Sequence, residues 1–77
     1  MGQSIVQDWT ECQVLLRFDE HREVRYRVYR DADTLYQEIR DIDDTLIHTL
    51  EIPEGMKLDR SSYEVLLRYV LLDVAAA

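Results

Sequence analysis

The densest run of potentially reactive side chains in this chain is Asp41-Ile42-Asp43-Asp44-Thr45-Leu46. Two carboxylates separated by one residue can divide the work of phosphoryl transfer. Such chemistry needs both to converge on one phosphate and a Mg²⁺ ion at a strand end. The other reactive groups are scattered. Cys12 is the only cysteine, so no internal disulfide can form, and no Cys/His cluster has metal-ligand spacing. His21 and His48 have no partner at triad or ligand spacing, and Gly2 and Gly55 are isolated, so no phosphate-cradling glycine loop is present in the sequence.

The run at 41–46 resembles the D-x-D-x-T-L pattern of the haloacid-dehalogenase phosphatases, over six of the 77 residues. That resemblance implies Asp41 as nucleophile and Asp43 as general acid/base. The surrounding periodicity points elsewhere. Leu35, Ile39, Ile42, Leu46 and Leu50 recur at spacings of 4, 3, 4 and 4. On a helical projection they fall within an arc of about 80°, and a helix there would splay Asp41 and Asp43 about 200° apart. The expectation is therefore a non-enzymatic protein without cofactor or metal, with residues 41–46 on a solvated acidic helix face.

The elements around this run are read as follows. Cys12, Val14, Leu16 and Phe18 alternate with Glu11, Gln13, Leu15 and Arg17, the period of a half-buried strand. Asp19-Glu20-His21-Arg22 reads as a hairpin loop, and Val24, Tyr26 and Val28 then alternate with Glu23, Arg25, Arg27 and Tyr29. Asp31 and Asp33 are helix-cap candidates, Pro53-Glu54-Gly55 breaks the chain, and Ser61 with Glu64 forms a capping-box pattern. The expected fold is α+β in one small domain (1–77): an antiparallel β-hairpin (11–18 and 23–29, within 11–29) followed by two α-helices (33–50 and 61–74), a ββαα order. Residues 1–10 are expected as an ordered arm.

Such a short domain has a marginal core and commonly needs a staple or a partner. The last segment supplies a surface for one. Tyr63, Leu66, Leu67, Val70 and Val74 make one apolar sector, and Val65, Tyr69 and Leu72 make a second, beside Arg68. A two-stranded sheet and one helix cover only one of these, so Val65, Arg68, Tyr69 and Leu72 are expected at a contact with a second copy or a larger protein. The alternative is that residues 1–10 fold back over the second sector.

Two charged faces are also candidates. Arg17, Arg25, Arg27 and Tyr29 share one face of the hairpin, a composition used by protein interfaces and by RNA-binding sheets, unless neighbouring carboxylates neutralise it. Glu38, Asp41, Asp43 and Asp44 on the expected helix offer a phosphate-like face. Net charge is −7, all of it from residues 31–77, where eleven acids outnumber four bases. This balance argues against direct binding to nucleic acid or anionic membrane. The leading expectation is a small acidic accessory or regulatory protein of the cytoplasm that works as a homodimer or by docking. The second is an inhibitor of a nucleic-acid enzyme, of the kind a phage or mobile element carries, and a phosphatase-like enzyme is a remote third. With no basic-then-apolar leader at residues 1–10, a reducing cytosol is expected.

Overall fold

A computed structural model describes residues 2–17 and 20–76, with side chains to Val74. Four strands, β1 (Gln3–Arg17), β2 (Glu20–Asp31), β3 (Thr34–Asp41) and β4 (Leu46–Glu51), precede one helix, α1 (Arg60–Ala76). The strands form a meander in the order β1-β2-β3-β4, every neighbouring pair antiparallel. The architecture is thus ββββα in two layers, with α1 lying on one face of the sheet and its core between them.

The expected ββαα order is overturned at residues 33–50, which form β3, a turn and β4 rather than a helix. A spacing of four residues is one helical turn, but it is also two strand repeats. Leu35 and Ile39 therefore share the helix-facing side of β3 with the fully buried Gln37 between them. Leu46 and Leu50 belong to β4, and Ile42, the residue that set the spacing of three, lies 60% exposed in the turn. Asp44 adopts φ +73° there and Ala32 adopts φ +56° in the two-residue β2–β3 connection. Aspartate is among the few non-glycine residues that visit this region readily; alanine is not.

The first hairpin exists but is longer than expected. β1 starts at Gln3, so residues 3–10 extend a strand instead of folding over the helix, and register shifts interrupt the pairing between Ile5 and Thr10. Glu20, His21 and Arg22, expected in a loop, are strand residues. Phe18 and Asp19 lie outside the described residues.

Val14, Leu16, Val24, Tyr26, Val28 and Ile39 from the sheet meet Tyr63, Leu67 and Leu71 from α1, and Ile52 closes one end. The helix begins one residue earlier than expected, at Arg60, because Asp59 caps it. The Asp59 Oδ1 accepts the Ser62 N–H at 2.9 Å and the Asp59 carbonyl accepts the Tyr63 N–H at 3.1 Å. Hydrogen bonds donated by the Ser62 backbone and side chain hold the Asp59 carboxyl below its usual range. No helix of the described residues is long and apolar enough to cross a membrane.

Candidate interaction surfaces

Helix α1 carries two apolar stripes on opposite sides. Tyr63, Leu67 and Leu71 recur every four residues and are buried against the sheet. On a 3.6-residue projection Val65, Tyr69 and Leu72 occupy an arc of about 60°, centred about 170° from that stripe. Val65 is 58% exposed and Tyr69 68%, while Leu72 is half-buried at the margin of the core. These three line a shallow cleft with Arg68. The four residues expected at a contact are therefore brought together; Val65, Arg68 and Tyr69 are exposed, and the core covers Leu72 only in part. Arg68 is exposed on one flank, its Nε donating to the Leu15 carbonyl of β1 at 3.0 Å. Asp73 is exposed on the other. Neither is in an ion pair among the described residues.

The face of the sheet away from α1 holds Arg25, Arg27 and Tyr29, as strand alternation requires. Arg17 lies exposed at the end of β1. The face is largely self-satisfied. Glu38, directly across from Arg27, has a side chain only 8% exposed and lies between two guanidinium groups. Its Oε1 accepts from Arg27 Nε at 2.9 Å and its Oε2 from Arg40 Nε at 2.6 Å. Burial alone pushes the Glu38 carboxyl upward, but the hydrogen bonds from Arg40 and Arg27, with their charges, outweigh it and hold the carboxyl below its ordinary value.

Arg25 and Arg40 are cross-strand partners of like charge, an unfavourable pairing by itself. Asp44 offsets it from the turn. Its carboxylate accepts from Arg25 at 2.7 Å and its carbonyl from Arg40 at 2.8 Å. Trp9 lies over Arg25 and Arg27, whose guanidinium carbons are 5.0 and 5.1 Å from its ring centre. Arg27 also lies over Tyr29, which stacks on Tyr36 at 5.5 Å. The partners of this arginine face come from β3, the β3–β4 turn and Trp9, and the carboxylates among them, Glu38 and Asp44, belong to the segment expected as an acidic helix.

The four carboxylates expected on one acidic face are separated because their helix does not exist. Glu38 is enclosed by arginines, and Asp44 turns toward the outer sheet face. Asp41 turns to the helix side, where its Oδ2 accepts from Arg22 at 3.2 Å. Asp43 stays in the turn, its Oδ1 accepting the Thr45 N–H at 3.0 Å, and its hydrogen bonds to Thr45 lower its pKa. Asp41 Oδ1 likewise accepts the Ile42 N–H at 2.9 Å. The run that resembles a phosphatase motif thus stitches an antiparallel turn, and its two carboxylates bind backbone of that turn. Among the described residues no group of His, Cys, Asp and Glu is placed to hold a metal ion. Cys12 is half-buried on the helix side of β1, where desolvation, then the nearby Glu64, push its thiol up, the environment of an unreactive thiol.

Three comparisons, with protein families, with curated proteins and with solved structures, give no match for this chain.

Proposed function

We propose that this protein is a non-enzymatic interaction module that works by presenting the outward side of α1 to another protein surface. The observation that carries the reading is the exposure of Val65 and Tyr69 on the helix side opposite the core. Burying such side chains is worth about 1.5–3 kcal/mol each, which favours association over solvation. Tyrosine and arginine, the pair at 68–69, are enriched where interfaces concentrate their binding energy. The arginine face of the sheet is the weaker candidate, because Glu38, Asp44 and Trp9 already occupy its guanidinium groups. An accessory or regulatory role in a reducing compartment fits the single unpaired cysteine.

The reading is tested by comparing the wild-type protein with Tyr69→Lys for self-association and for binding of partners identified from the native host. Tyr69→Lys is expected to fold normally and to lose both kinds of contact that the wild type makes. Equal behaviour of the two proteins in both assays overturns the reading.

A further inference from the structure

We infer that the occupant of the outward face of α1 is a second copy of the same helix, packed parallel and in register across a twofold axis. This rests on the interaction-module reading above and adds the partner and its geometry. Val65, Tyr69 and Leu72 are separated by four and then three residues, the alternation of core positions in a coiled-coil seam, with Val65 and Leu72 at d and Tyr69 at a. In that frame Arg68 falls at g and Asp73 at e. The buried residues Tyr63, Leu67 and Leu71 fall at b, f and c, the positions that point away from a partner helix, which is where the sheet lies.

The charges select the orientation. In a parallel pair the g residue of one helix reaches the e residue five positions later on its partner, and Asp73 lies five positions after Arg68. Twofold symmetry forms this ion pair twice. An antiparallel pair places like flanks together, setting Arg68 beside Arg68 and Asp73 beside Asp73. Both side chains are exposed, and among the described residues Arg68 uses only its Nε, on Leu15, which leaves its two terminal nitrogens for a partner's carboxylate. The assembly is a four-layer sandwich, sheet-helix-helix-sheet, with both arginine faces outermost.

Single cysteines test the register. Val65→Cys and Leu72→Cys are made separately in a Cys12→Ala background and oxidised mildly, with sedimentation of the reduced forms as reference. Both are expected to cross-link into disulfide dimers, because only parallel, in-register packing brings each position opposite itself. Asp73→Lys alone is expected to weaken the dimer roughly three- to tenfold, and Arg68→Glu added to it to restore the affinity. A dimer in which only one position cross-links, or neither, or in which the charge exchange restores nothing, overturns the parallel helix pair while leaving docking through α1 standing. A wild-type protein that is monomeric throughout the millimolar range overturns the second copy as occupant, and docking on another protein is then decided by the Tyr69→Lys comparison.

Discussion

The buried side chain of Gln37 in β3 donates from Nε2 to the backbone carbonyl of Tyr63 in α1 at 3.1 Å, tying the sheet to the first turn of the helix. Gln37 is fully buried, and its Oε1 has no hydrogen-bond partner. Because the Tyr63 oxygen can only accept, the amide nitrogen must face it, and the orphaned atom is necessarily the oxygen.

Gln37 therefore combines a favourable hydrogen bond with an unfavourable burial. Gln37→Met, similar in volume, loses one and relieves the other, so its cost should be small, about 1 kcal/mol or less. Gln37→Glu places a carboxylate against a carbonyl in the core and should cost about 3 kcal/mol or more at neutral pH. Urea unfolding of both variants checks the order. A Met variant less stable than the Glu variant would contradict this account of the contact.

Ala32 sits at φ +56° in the connection between β2 and β3, where its Cβ is strained. Ala32→Gly relieves that strain at the expense of a more flexible unfolded chain. The net gain should be about 0.5–1 kcal/mol. In a domain of this size that corresponds to a rise in Tm of roughly 2–8 °C, measurable by thermal unfolding.

Glu38 gives the protein an acid-sensitive contact on the open face of the sheet. Its folded-state pKa lies below the ordinary 4.5. The stability it contributes is therefore present above about that pH and is lost as pH falls through the lowered value. Glu38→Gln should be less stable than wild type by about 2 kcal/mol at pH 7. The gap should narrow as the medium is acidified toward pH 3. Denaturant midpoints for the two proteins across that window provide the check, and a gap independent of pH would show that the ion pairs contribute nothing.

Trp9, the only tryptophan, lies over Arg25 and Arg27 on the side of the sheet away from α1. Association through α1 leaves that environment untouched. Trp9 emission should accordingly keep its wavelength and intensity per molecule across the concentrations at which the protein associates. A shift that tracks association would place the contact on the arginine face instead.

Much of this layout could be read from the residues, and what could not has identifiable causes. Val14, Leu16, Val24, Tyr26 and Val28 announce two strands because strict alternation has no helical counterpart. The terminal helix and its two stripes were legible because thirteen residues from Ser61 to Asp73 lack that alternation. Residues 33–50 misled because apolar residues four apart suit either period. The residue that would have decided the matter, Gln37, is polar yet buried, and its burial is set by Tyr63, distant in sequence. The β2–β3 turn gave little warning, since Ala32 takes a conformation usually signalled by glycine, asparagine or aspartate. The outward face of α1 was found from composition, whereas the neutralisation of the arginine face depends on pairing between β2 and β3 that only the correct strand assignment reveals.

The most direct measurement is sedimentation equilibrium of the wild-type protein and of Tyr69→Lys over concentrations from micromolar to millimolar. The account predicts a reversible monomer–dimer equilibrium for the wild type and a monomer at every concentration for a Tyr69→Lys protein whose circular dichroism and Tm are otherwise unchanged. A wild type that never exceeds monomer mass, or a Tyr69→Lys variant that dimerises as well as its parent, would contradict it.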